Sequence, residues 1–385
     1  MDFITSIVLV LITALFGRFL SRKLKQPIIL GELVLGAVIG NIFIMVNEGK
    51  LVLDPSIDYL SDIGILFLLF SAGLSLNLTE FKKIEKSSTV VATLGVILPF
   101  ILGYITAEFF GFSHITSLFV GTALMATSVG VKTEVLLELR LMATKLGSLI
   151  IGAAVIDDII SMVVLTILIS VVRNGYLLIW DISIFLFLVF LFLLIGILLT
   201  KEKIRNFLDN YLSKRKLSRE NLFIIGVVIA LIFSFIAEKI GLSIIIGAFM
   251  AGIILGQLNF FRGFQDNVSL IGGGFFIPIF FVTVGMNFDF NAFLSMGLFA
   301  FILLIVAILG KLVGCSFGAK LTGFNNRESI ATGVAMIPRA GIELILVKLG
   351  LEYQIINTEI ASAILIMVIV TTLITPTALF TVLRR

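Results

Sequence analysis

What most constrains this chain is a succession of apolar stretches, each about as long as a lipid bilayer is thick. A spanning helix needs roughly 20 predominantly apolar residues. The 385 residues offer thirteen such stretches, at 3–20, 27–46, 57–77, 87–111, 113–130, 146–172, 180–200, 220–238, 241–257, 267–288, 292–319, 327–349 and 355–383. Composition agrees: 59% of residues are hydrophobic and 14% charged, against about 45–50% and about 25% in soluble domains. A water-soluble enzyme is excluded. One Cys and one His exclude a disulfide scaffold or a His-rich metal site. Asp2 before the first stretch, with Arg18, Arg22, Lys23 and Lys25 after it, marks a retained helix rather than a signal peptide. The longest polar run, Lys201 to Glu220, reads as a short basic connector.

Lys and Arg test the count. Of the 28, 22 follow odd-numbered stretches, with Lys132, Arg140 and Lys145 placed after the fifth. Only Lys50, Arg173, Lys239 and Lys348 follow even-numbered ones. Positive residues stay cytoplasmic, so the sequence predicts a multi-pass protein with its N-terminus outside and its C-terminus in the cytoplasm. The net charge of +4 thus records topology, not nucleic-acid binding.

The chain also resembles itself. Ile28-Ile29-Leu30-Gly31, Gly36 and Gly40 match Ile244-Ile245-Ile246-Gly247, Gly252 and Gly256 at an offset of 216. Gly73-Leu74 matches Gly285-Met286 at 212, Ala92, Gly95 and Gly103 match Ala307, Gly310 and Gly318 at 215, and Ser117 and Gly121 match Ser329 and Gly333 at 212. Spans 1–6 therefore correspond to spans 8–13, with span 7 as linker. An odd shift turns each helix over relative to its mate, and inverted six-helix repeats are an architecture of secondary transporters.

Ionisable groups inside spans are costly and mark function by default. Asp157 and Asp158 lie side by side in the middle of span 6. Two close carboxylates away from bulk water do not both ionise cheaply, so the pair suits a proton or a small cation in competition. Lys311 lies mid-span 11, and one of the aspartates is its natural partner. Span 5 is interrupted at Ala126-Thr127-Ser128 and its mate, span 12, at Ile337-Pro338-Arg339-Ala340-Gly341. Matched interruptions in two halves point to a binding site. Arg339 and Glu343 would balance the half-helix ends, with Glu134 as a further partner for Arg339. Glu32 and Asp62 read as snorkelling or capping residues near span ends, His114 as a surface residue and Cys315 as a small packing residue.

Gly31-Glu32 with Gly36 and Gly40, Leu69 to Leu74, Ala126-Thr127-Ser128, Asp157-Asp158, Lys311 and Pro338-Arg339 together resemble the cation:proton antiporters of the Kef and sodium/proton exchanger type, in their Asp-Asp electrogenic branch. The resemblance covers essentially the whole chain. It implies an all-α fold of thirteen transmembrane helices in two inverted six-helix repeats with two broken, crossing helices. Scaffold helices 1–3 (1–85) and 8–10 (220–290) would form a homodimer. Core helices 4–6 (86–172) and 11–13 (291–385) would move like an elevator past them, with a linker helix and basic loop at 173–219. Asp158 would be the main ion and proton ligand with Asp157, Thr127 and Ser128, and Asp157 would pair with Lys311. The cargo would be Na+ (or Li+, alternatively K+ as in Kef relatives) and H+, with no cofactor. The partners would be a second copy and membrane lipid. A nucleotide-binding domain, which Kef relatives often carry, is not expected.

Two other classes of function fit the sequence less well. A magnesium-binding prenyl-transfer motif needs a third Asp where Ser161 stands, and an aspartyl protease needs aspartates on two helices. A carboxylate-lined channel is the remaining alternative, but a competing lysine favours exchange.

Overall fold

The computed structural model describes the whole chain apart from residues 25, 48–52, 77–82, 175–178, 214–217, 262–263, 287–296, 340–342, 344–345, 348–349, 352 and 385. Its elements are helices: α1 (Phe3–Leu24), α2 (Ile28–Asn47), α3 (Ser56–Ser75), α4 (Glu85–Phe109), α5 (His114–Met125), α6 (Val129–Glu138), α7 (Lys145–Asn174), α8 (Ile179–Leu199), α9 (Glu202–Ser213), α10 (Arg219–Lys239), α11 (Ile244–Gly256), α12 (Phe264–Ile271), α13 (Ile277–Met286), α14 (Leu298–Leu321), α15 (Asn326–Ala335) and α16 (Thr358–Arg384). A π-helical turn, Gly272–Phe276, joins α12 to α13.

Local chemistry sets many boundaries. Ser113, Ser218 and Ser243 cap α5, α10 and α11 by accepting from the first-turn N–H groups. Asn325 and Glu328 form a reciprocal capping box on α15. Gly111 and Gly323, with φ of 80° and 89°, follow α4 and α14 in the left-handed conformation that stops a helix.

Among the described residues nine helices are long and apolar enough to cross a membrane, or ten if the bent pair Ser183–Leu199 and Glu202–Asn210 is one span. Apolar side chains such as Leu15, Phe19, Phe187, Phe235 and Phe317 cover the outside of the bundle. Charge goes inside instead: Arg339, Lys132 and Lys311 are among the largest wholly buried side chains. This inverts a soluble protein and fits lipid as the solvent.

Two sets of helices pack most closely within themselves. In one, α1, α2 and α13 lie together and α3 lies against α11 and α13, with α10 on α11. In the other, α4 and α14 pack on each other, with α5 and α7 on α4 and α15 and α16 on α14. Glycine seams run through the first set. A Cβ on Gly73 would strike the Phe249 carbonyl oxygen and one on Gly252 that of Phe70, so α3 and α11 touch backbone to backbone. Gly36 against Val282 and Gly285 against Leu33 do the same for α2 and α13.

Three expectations change. The fifth apolar stretch does not end at residue 130: the span runs His114–Glu138 across its break, so Lys132 and Glu134 belong to it. Glu32 does not snorkel; it is buried and accepts from Arg18 Nε at 2.6 Å. The polar connector after α8 is largely helical, as α9.

Candidate functional site

The site is built where two interrupted helices meet. α5 stops at Met125, Ala126 to Ser128 are extended or irregular, and α6 resumes at Val129. α15 stops at Ala335, and Met336 to Arg339 leave the helical path. The breaks satisfy each other: Ser128 N–H donates to the Pro338 carbonyl at 2.7 Å. Backbone freed at membrane depth needs such partners. Thr372 on α16 adds one by donating to the Arg339 carbonyl at 2.7 Å.

Each half-helix C-terminus meets a cation. Arg339 donates through Nη1 to the Ala126 carbonyl at the end of α5 at 2.8 Å, and through Nη2 to the Ala307 carbonyl on α14 at 3.1 Å. Lys132 Nζ lies 3.2 Å from Sδ of Met336, the residue closing α15. Positive charge suits these ends, where carbonyls lack intrahelical partners.

The two aspartates on α7 differ sharply. Asp157 has both oxygens engaged: Lys311 Nζ donates to Oδ1 at 2.6 Å and Thr127 Oγ1 to Oδ2 at 3.1 Å, with Asp157 and Lys311 wholly buried. Asp158 is buried too, but no described residue hydrogen-bonds to its carboxylate; the charges acting on it are Asp157, Lys132, Glu343 and Lys311. Two buried hydroxyls, Ser128 Oγ at the break and Ser161 Oγ one turn along α7, also have no hydrogen-bond partner among the described residues. Carboxylate and hydroxyl oxygens are hard donors, suited to hard cations and to protons.

The structure thus brings together Asp157, Thr127 and Lys311, sets Asp158 beside them on the chain, and places Arg339 at the crossing. Glu343 is buried, and it and Asp157 are the carboxylates acting on Arg339. Glu134 is not brought to Arg339, whose guanidinium is held by the two carbonyls; the charges around Glu134 are Glu32, Glu138 and Arg18. The reason is geometric, since α6 carries Glu134 away from the break towards α1 and α2, where Glu138 accepts from Ile28 N–H at 2.9 Å. Ala340 and Gly341 lie outside the described residues.

Sequence reasoning missed Lys132, Ser161 and Met336. Lys132 donates to Thr127 Oγ1 at 3.1 Å and is wholly buried. One signal was present: Lys132 stands four residues after Ser128, on the same face of a helix whose side chains lean back towards its N-terminus.

The family described as "Sodium/hydrogen exchanger, transmembrane" matches residues 9–385. The chain is 36% identical over 377 residues to a Na(+)/H(+) antiporter of Enterococcus hirae, covering 98% of this chain and 97% of that protein. It is 34% identical over 376 residues to the Na(+)/H(+)-K(+) antiporter GerN of Bacillus cereus, covering 97% and 95%. The solved structure of the sodium proton antiporter MjNhaP1 from Methanocaldococcus jannaschii at pH 8 superposes with a TM-score of 0.68 over 99% of this chain and 98% of that one; at 17% identity the likeness is one of fold.

Proposed function

The chain belongs to the sodium/hydrogen exchanger family, and on that premise we propose that it moves sodium (or lithium) and protons in opposite directions through Asp158, electrogenically and by an elevator-type movement. It is a secondary cation/proton antiporter, not an enzyme, and it needs no cofactor. Sodium ion and proton are its cargo.

The observation that carries the site assignment is the inequality of the two aspartates. Asp157 is saturated by Lys311 and Thr127, whereas no described side chain satisfies Asp158. A proton or a cation on Asp158 neutralises it, and one excludes the other. The hydroxyls of Ser128 and Ser161, unpartnered among the described residues, supply further oxygens for the cation. Two carboxylates and a lysine hold more exchangeable protons than one sodium ion replaces, which supports net charge movement. Potassium is the second reading, favoured only by the name of the GerN relative.

Several features support the thirteen-span inverted repeat. Besides the nine long spans there are apolar helices at Ile28–Phe43 and Ile244–Gly256 and the bent pair, and α15 opens the interrupted twelfth span. The repeat also exchanges the glycine seams, because Gly36 and Gly285 meet across one seam while their mates Gly252 and Gly73 meet across the other. Gly111 and Gly323 end mated helices at an offset of 212. The two packing sets support a scaffold and a moving core, and a scaffold-mediated homodimer in the cell membrane follows from the family resemblance. The charge asymmetry of the loops supports an outside N-terminus and a cytoplasmic C-terminus.

The experiment uses purified protein in liposomes with an acid interior. Sodium, lithium or potassium is added outside and the pH gradient is followed by fluorescence. Collapse by sodium or lithium with the parent, and none with Asp158→Asn, is expected. Collapse by potassium alone would replace the sodium reading, and a folded parent that answers no cation would refute exchange.

A further inference from the structure

We infer that Lys132 is a tethered competitor for the transported cation: its ammonium holds the cation's place at the crossing and sets how much cation the site demands. The inference rests on the exchange reading above and adds a specificity-determining residue to it.

Two buried lysines face this site, and their partners are unlike. Lys311 makes an ion pair with Asp157 at 2.6 Å. Lys132, equally buried, has only neutral partners among the described residues, the Thr127 hydroxyl at 3.1 Å and the Met336 thioether at 3.2 Å. Its charge is answered through space, by Asp157 and Asp158. A buried ammonium without a carboxylate in contact is expensive, so the fold retains it where two carboxylates act together and one of them is otherwise unsatisfied. In that position it does what a bound cation would do.

Charge arithmetic gives the consequence. Asp157, Asp158 and Glu343 face Lys311, Lys132 and Arg339, so the six buried groups cancel when all are ionised. A sodium ion at Asp158 adds one positive charge to this closed set. It also needs oxygens near Thr127 and Ser128, and the Thr127 oxygen already accepts from Lys132. The cheapest accommodation is displacement of the Lys132 head. Its four-carbon stem allows this, because the compact ammonium swings on rotatable bonds, unlike the doubly held Arg339 fork. Lys311 is less able to yield, since leaving Asp157 strips a buried carboxylate of its counter-charge.

The test is the half-saturating sodium concentration at one fixed pH, in proteoliposomes holding the parent, Lys132→Met, Lys132→Gln or Lys132→Arg. Removing a like charge a few ångströms from the ion should lower it about tenfold in both neutral variants. Lys132→Arg keeps the charge and should stay close to the parent. A purely structural lysine would instead lower the maximal rate, with half-saturation unmoved. Unchanged or raised half-saturation in folded neutral variants overturns the inference, as does an equal fall in Lys132→Arg, which would trace the effect to shape. If neither neutral variant folds, Lys132 is a structural counter-charge and the inference falls. A parent without any sodium response refutes exchange itself, a result distinct from a transporting parent whose variants do not shift.

Discussion

Along the seams between α2 and α13 and between α3 and α11, glycines let one backbone rest on another, and no polar side chain is needed to hold them. The crossing of the two broken helices is tied by polar contacts: Arg339 on carbonyls, Ser128 on Pro338, Lys311 and Thr127 on Asp157. Glycine seams have one close-packed solution and resist sliding. Polar contacts can exchange partners with protons, ions or one another. One fold thus contains a part suited to stay and a part suited to change.

Four sets of substitutions sharpen the contrast, and thermal unfolding in detergent measures each. The largest effect is expected at the crossing, where Lys311→Met leaves Asp157 buried without its counter-charge, at a cost of about 3–5 kcal/mol. The double variant Asp157→Asn with Lys311→Met should recover most of that loss, and a double variant no better than the single would contradict the pairing. Next comes the seam. Gly73→Val and Gly252→Val each push a side chain into a carbonyl, and overpacking costs about 1–3 kcal/mol. The two should be alike because the glycines meet each other, so a harmless Gly252→Val would break the seam argument. Thr127→Val removes one hydrogen bond from Asp157 and should cost about 0.5–1.5 kcal/mol. The smallest effect belongs to Glu138, which ties α6 to α2 through Ile28 N–H. Glu138→Gln keeps the acceptor and should stay within about 0.5 kcal/mol of the parent, while Glu138→Leu should cost more.

Legibility in the sequence followed the solvent each residue faces. Helices that touch lipid must be apolar, so their stretches stood out, and charges inside them, Asp157, Asp158, Lys311 and Arg339, stood out in turn. The partnership of Lys311 with Asp157 followed from the cost of burying either alone. α6 was hidden because protein, not lipid, surrounds it: with Lys132, Thr133, Glu134 and Glu138 it has the makeup of a loop. Its apolar Val131, Val135 and Leu136 are buried all the same. Glu32 is hard to read for a related reason, since its partner Arg18 comes from another helix and nothing local reveals the pairing. Ser161 is not legible as a candidate oxygen donor because serine is common in packed membrane helices.

The central claim is that a proton and a cation compete for one carboxylate, Asp158. The most direct measurement adds sodium to purified protein in weakly buffered solution and counts the protons released. The parent should release protons as sodium binds, and folded Asp158→Asn should release none. Sodium binding without proton release in the parent, or undiminished release in Asp158→Asn, would contradict the account.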